Sequence, residues 1–463
     1  MTDDTLREDD TDKSLRENAS QVMRASGRYR GLVLALLTLV YGFNFIDRQI
    51  IGIVSPLIKI ELGFTDAQLG WLKGFAFAVV YCTVAIPIAV LADRVSRVKI
   101  VAVSLAVWSG FTALTGAAGT FASMLLARMG VGIGEAGGSP PSHSIISDLY
   151  SKNERTTALG IYSLGIPLGI MFAYFAAGAL VASVGWRGTL YTLGAAGIAL
   201  SLVVLALVRE PVRGAMDLAD AAGRGMGDAP SVPYWRMLAT LLSIPSWWLM
   251  CLGIAFVSYG GYAVSNWGLD YLTRWDPTLL EPDRFRQVNI YLGLMNGFAY
   301  GFGTYGGAKL ADILARSRGV GVYAWLPGLA LVIGVPALLS AYWVDSLALH
   351  LVLLTIYLIS AGFYLGPSFA IAQTLAPIRM RAMSTALFFF VLNMIALGGG
   401  PTITGEISSA LAPAHGETHA LRLAMTWLWL PYLVSIACFF AASRTLPRDW
   451  AAAEARNSAP AAG

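Results

Sequence analysis

Four ionisable residues stand in otherwise apolar sequence: Asp47 and Arg48 in one run, Arg128 and Glu135 in another. A charged side chain at the centre of a bilayer costs ~2.5–3.5 kcal/mol on insertion scales, so such residues face a cavity and pair. A carboxylate in a poorly solvated cavity favours its protonated form, and a nearby arginine favours the ionised form. If the arginine moves between states, proton affinity moves with it. Asp47 and Glu135 are therefore the candidates to load and release protons. Arg48 and Arg128 are the candidates to partner them or to bind a carboxylate or phosphate head group. A fixed salt-bridge network that only sets helix packing is the alternative. Helix rise places Asp47 ~21 Å into its span and Arg128 ~10 Å into an oppositely directed one, so the two share a depth and can pair. Glu135 lies two turns beyond Arg128 on the same helix face.

Polar residues elsewhere form a second set. Tyr259, Tyr262 and Asn266 recur at i, i+3 and i+7, which is one helix face. Asn296, Tyr364, Ser368 and Asn393 are further candidates to line a cavity. Hydrogen bonding between helices is the competing role for each. Lys73 is expected to snorkel to an interface, Glu406 to lie near an outer end, and His143 to be a packed polar group. The second half of the chain reads as nearly free of mid-membrane charge. A charged first half facing an apolar, aromatic second half suits an amphiphile with an anionic head.

The elements that must hold these residues follow from composition. The chain has 463 residues, 56% apolar and 13% charged, with mean hydropathy +0.62. Soluble domains carry about 25% charged residues, so the chain reads as an all-α membrane protein. A span needs about 20 apolar residues. Twelve runs meet this: 31–58, 67–92, 98–118, 121–148, 155–183, 187–208, 245–272, 287–312, 322–343, 346–373, 380–411 and 422–442. Kinks are expected at Pro87, Pro140–Pro141, Pro167, Pro367 and Pro401. The glycines of 130–138, 165–169 and 398–400 suit either bending or close packing.

Lys and Arg concentrate in alternate loops, which puts both termini on the cytoplasmic side of the inner membrane. The domain reading is a cytoplasmic tail (1–28), a six-helix bundle (29–209), a cytoplasmic linker (210–240), a second six-helix bundle (241–445) and a cytoplasmic tail (446–463). No apolar leader precedes the first run. The net charge of +4 lacks a basic stripe, which argues against a nucleic-acid partner. Cys82, Cys251 and Cys438 have no metal or pairing pattern. No phosphate-binding GxxxxGK[ST] pattern is present. No enzyme activity, metal or cofactor is expected.

An internal repeat supports duplication. Ala89–Asp93 ends the second run, with Arg97 four residues on; Ala308–Asp312 ends the eighth, with Arg316 four residues on. An Asp at a helix end can pair with Arg and with a neighbouring helix dipole, so Asp93, Arg97, Asp312 and Arg316 are candidates for a cytoplasmic gate.

These residues resemble the motif between helices 2 and 3 of the major facilitator superfamily, with Ala89 and Ser96 in place of its glycines. A narrower resemblance is to bacterial homologues of its spinster branch, whose animal members export lysolipids and sphingosine-phosphate lipids. It rests on Asn44–Arg48, Ala127–Ala136, Ser147–Tyr150 and Val208–Gly214. The resemblance implies two pseudo-symmetric six-helix bundles working by alternating access. It implies a monomer surrounded by membrane lipids, with protons and a small-molecule or lysolipid substrate as partners. Proton-coupled transport of small organic anions and drug efflux are the alternative functions.

Overall fold

The computed structural model describes residues 27–92, 94–213, 216, 239–377 and 381–458. Asp93 and most of the expected linker and tails lie outside them. Twelve helical paths result. In the first half they are α1 (Gly27–Leu62), α2 (66–92), α3 (Arg97–Ala117), α4 (121–149), α5 (152–184) and α6 (186–207). In the second they are α7 (Pro245–Trp275), α8 (282–318), α9 (Val322–Ala341), α10 (347–375), α11 (381–415) and α12 (417–458). A span in hydrocarbon must satisfy its own backbone, and the helix does so internally.

Nine stretches among the described residues are long and apolar enough to cross a membrane, with α5 and α6 counted as one. The paths left out are α4 and α8, whose sequences are interrupted by polar and glycine residues. Gly185 (φ 68°) separates α5 from α6 in a conformation only glycine adopts cheaply. Thr65 and Thr120 open α2 and α4 with reciprocal capping boxes to Gln68 and Ser123.

The breaks follow the expected prolines closely. Path α4 stops at Glu135 and resumes at Ser139, just before Pro140–Pro141. Paths α5 and α10 resume at Gly165 and Leu365, two residues ahead of Pro167 and Pro367. In α11 a π-helical stretch, Asn393–Gly399, precedes Pro401. Pro87 lies inside a continuous helix. The glycines mark close packing: a Cβ on Gly134 would strike Trp108, one on Gly169 would strike the Gly42 carbonyl, and one on Gly400 the Tyr259 carbonyl.

The last helix runs through Ser458, well past the expected start of the tail at 446. Leu446 and Ala453 are buried, Asp449 accepts from the Ser246 backbone N–H at 3.0 Å, and Arg456 donates to the Leu375 carbonyl at 2.6 Å. These contacts tie the extension to the start of α7 and the end of α10.

Two large apolar clusters, and a small third one around Ala311, Val322 and Leu326, fill the structure among the described residues. One occupies the first half around Trp108, Leu105 and Val131. The other runs through the second half and into the contact with α1 and α2. Hydrogen bonds and ion pairs between the halves gather at one end of the bundle, where α1 meets α7 and α2 meets α11. This is termed the joined end. The opposite end carries Arg97 and is termed the arginine-rich end.

Candidate functional site

In the first half, α1 and α4 bring the four expected charges together. Arg48 Nε donates to Glu135 Oε2 at 2.7 Å, with side-chain exposures of 8% and 0%. Asp47 Oδ1 accepts from the Thr112 hydroxyl of α3 at 2.8 Å. Arg128 shares their neighbourhood, but its hydrogen bonds run to backbone carbonyls: Nη1 to Asp47 O and Nε to Leu72 O, both at 3.4 Å. The ion pair thus joins Arg48 to Glu135, whereas depth alone pointed to Asp47 with Arg128. Rise along an axis ignores which way each side chain turns, and that rotation decides the partner.

Aromatic faces of α1 and α2 complete this site. The Arg48 guanidinium lies over Tyr81 at 4.7 Å, Phe45 at 5.2 Å and Phe77 at 5.3 Å. Arg128 lies over the same Phe77 ring at 5.4 Å. One ring therefore faces both guanidinium groups and stabilises positive charge through its quadrupole. Phe77, Tyr81 and Thr112 were not singled out in the sequence. Aromatic and Thr residues are common in spans, so nothing marked them.

The expected second-half residues occupy several places. Tyr364 hydroxyl meets Ser258 Oγ at 3.0 Å and Tyr300 hydroxyl at 3.4 Å, and Tyr357 meets Tyr432 at 2.5 Å. Tyr262 packs against the apolar cluster of the first half, and its carbonyl accepts from the Asn266 amide at 2.9 Å. Tyr259 packs on Gly399 and Gly400 of α11. Asn296 and Asn393 bond back to Leu292 and Phe389 carbonyls, each within a π-helical stretch. Such stretches often accompany functional sites. Ser368 is buried. Asn266 sits where α7 crosses Gly52 of α1.

One reading is corrected. Lys73 does not snorkel: its side chain is 0% exposed and pairs with Asp270 Oδ2 at 2.7 Å. Asp270, near the end of α7, is itself 0% exposed. The lysine turns inward because a carboxylate from the other half awaits it.

The joined end holds a second charge set. Asp66 Oδ1 accepts from Lys59 at 2.8 Å and Arg274 Nη2 at 2.6 Å. Its Oδ2 accepts from Arg274 Nη1 at 2.7 Å and Ser408 at 2.6 Å. Asp66 and Lys59 belong to the first half, Arg274 and Ser408 to the second. Glu406, near the same end, accepts from Trp71 Nε1 at 2.9 Å. His143 packs edge-on to Tyr162.

At the arginine-rich end, Arg97 pairs with Asp148 and, at 2.7 Å, with Glu210. It also bonds Ser144 at 2.7 Å and the Pro211 carbonyl at 2.9 Å. Burial alone would raise the Glu210 carboxyl, but the Val98 N–H, Ser96 hydroxyl and Arg97 outweigh it and hold it below the usual range. Asp93 lies outside the described residues. In the second half Asp312 accepts from the Tyr323 hydroxyl at 2.9 Å, and Arg316 is exposed. Among the described residues, the two arginines of the repeat thus differ: Arg97 is buried in ion pairs and Arg316 is exposed.

Comparison with known proteins agrees with this architecture. The model of the Major Facilitator Superfamily matches residues 37–401. An MFS-type efflux pump of Mycolicibacterium smegmatis is 28% identical over 442 residues, covering 95% of this chain and 97% of that one. The crystal structure of a bacterial homolog to the human lysosomal transporter spinster, inward-facing and unoccupied, superposes with TM-score 0.80 at 29% identity. That match covers 92% of this chain and 99% of the other. Protein spinster homolog 1 of Homo sapiens is 28% identical over 265 residues, 56% of this chain and 48% of its own length. This chain thus spans about half of that relative. With its all-helical fold, the chain belongs to the Major Facilitator Superfamily, as a multi-pass membrane transporter and not an enzyme.

Proposed function

We propose that this protein is a secondary transporter that moves an amphiphilic or lipid-like substrate across the inner membrane by alternating access, coupled to protons. The observation that carries the coupling is the buried Arg48–Glu135 pair with Asp47 one residue away. Protonating Glu135 would release Arg48 to an anionic head group, and substrate release would return it. Asp47, held by Thr112, is the second carboxylate of the relay. The tyrosines of α7, α8 and α10 offer the apolar, aromatic wall for a hydrocarbon tail. Arg128, whose described hydrogen bonds go only to carbonyls, favours a second reading in which a small organic anion binds there.

The closed contacts at the joined end correspond to an inward-facing state, with the arginine-rich end and both termini in the cytoplasm. The working unit is a monomer. Proton movement in proteoliposomes tests this, with lysolipids and small organic acids as trial substrates. Substrate-driven proton movement that Asp47→Asn and Glu135→Gln abolish supports coupling, and the responding substrate sets the class. Unchanged transport in both variants and in Arg128→Ala would make these charges structural.

A further inference from the structure

Lys73 occupies a site built almost wholly by the opposite half of the protein. Its Nζ donates to Asp270 Oδ2 at 2.7 Å and to the Asn266 carbonyl at 2.9 Å. It also stands 3.6 Å from the centre of the Trp267 ring. A carboxylate, a carbonyl and an aromatic face around one ammonium group form a complete shell for a cation. Asn266, Trp267 and Asp270 lie on α7, and the Trp267 indole is held by the Pro401 carbonyl of α11 at 2.9 Å. The three therefore move together with the second half. Lys73 on α2 and Ser55 on α1, which donates to Asp270 Oδ2 at 2.5 Å, belong to the first.

Any opening of the joined end must withdraw Lys73 from this shell. A carboxylate left without its partner in a buried site is strongly unfavourable. Asp270 Oδ1 already accepts no hydrogen bond among the described residues, and Arg274 Nη2 stands 4.0 Å away. Arg274 stays with Asp270 on α7 when Asp66 leaves, 4.0 Å from Oδ1, so the vacated shell keeps an indole face, a carbonyl and the Oδ2 side of a carboxylate that Lys73 no longer fills.

We propose that Asp270, Trp267 and the Asn266 carbonyl form a binding site for an alkylammonium group, which Lys73 fills as a tethered ligand while the joined end is closed. A free amine and Lys73 compete for it, so amine binding favours opening. The proposal rests on the alternating-access reading, since the site empties only if the halves separate there.

The test uses the full chain with Cys82, Cys251 and Cys438 replaced by Ala, and spin labels at Gly119→Cys and Asp283→Cys, one on each half at the joined end. Distances are measured without additive, with butylammonium, with tetramethylammonium and with sodium. Dodecylammonium placed in the bilayer distinguishes a membrane-borne amine from one arriving through water. At about ten times its Kd, a ligand that binds one of two states raises that state's ratio about tenfold. The expected result is that rise for butylammonium or dodecylammonium, its loss in Asp270→Asn, and its retention in Asp270→Glu. No response to either amine, with the labels still reporting two separations, overturns the site and leaves alternating access standing. A single separation under all conditions, including pH change and substrate, removes alternating access and the site with it. If Asp270→Asn does not fold, thermal melting replaces it: ethylammonium should raise the melting temperature of Lys73→Ala but not of Lys73→Ala with Asp270→Ala. Equal effects on the two overturn the proposal.

Discussion

Arg48 Nε and Glu135 Oε2, 87 residues apart in sequence and on different helices, lie 2.7 Å apart and almost out of solvent. Removing one partner of a buried ion pair costs ~3–5 kcal/mol, because the other is left uncompensated. Glu135→Gln should therefore lower the melting temperature and bring substrate-driven proton movement to the no-protein background. Arg48→Lys should do less harm to folding, but its ammonium cannot reproduce the guanidinium's planar contact with Tyr81, Phe45 and Phe77. Melting curves and a pH-sensitive dye inside proteoliposomes check both.

Asp66 receives two hydrogen bonds from Arg274 and one each from Lys59 and Ser408 while only 3% exposed. Asp66→Asn should loosen the joined end by ~3–5 kcal/mol relative to the open form. The labels at 119 and 283 should report a shift toward the longer separation.

Gly74 faces α11 across the boundary between halves. A Cβ there would strike Thr402 Oγ1 and the Gly398 carbonyl. Overpacking of this kind costs about 1–3 kcal/mol, and the cost falls only on the closed form. Gly74→Ala should favour the open joined end while leaving Arg48–Glu135 intact, read by the same pair of labels.

Glu210 is held below the usual glutamate range by the Val98 N–H, Ser96 and Arg97 acting against burial. A depressed carboxyl contributes stability that is full above its unfolded pKa and lost as the pH falls through the folded one. Glu210→Gln should lower the melting temperature near neutral pH, and the difference from wild type should vanish in acid. Scans at several pH values decide it.

The α12 extension caps α7 through Asp449 and reaches α10 through Arg456. Loss of a helix cap costs about 1 kcal/mol. Deleting residues 446–463 should lower the melting temperature by more than Asp449→Asn does.

Much of this was legible in the residues. The twelve apolar runs match twelve helical paths because a bilayer leaves a span no other regular structure than a helix or a closed barrel. Asp47, Arg48, Arg128 and Glu135 stood out because charge is rare in hydrocarbon. The strings at 147–150 and 208–214 proved to supply Asp148 and Glu210, both partners of Arg97. Asp66, Asp270 and Arg274 were not singled out in the sequence. Asp270 four residues before Arg274, where the run 245–272 ends, was the available signal.

The amino-acid sequence by itself determined the helices, their breaks and the class of protein, since hydropathy, proline and glycine act locally. Only the tertiary structure decided which charges meet. Pairing depends on rotation about each helix axis and on the meeting of two halves nearly 200 residues apart. Thus Lys73 and Asp270 neutralise each other across that boundary, Glu135 takes Arg48, and Arg128 turns to carbonyls.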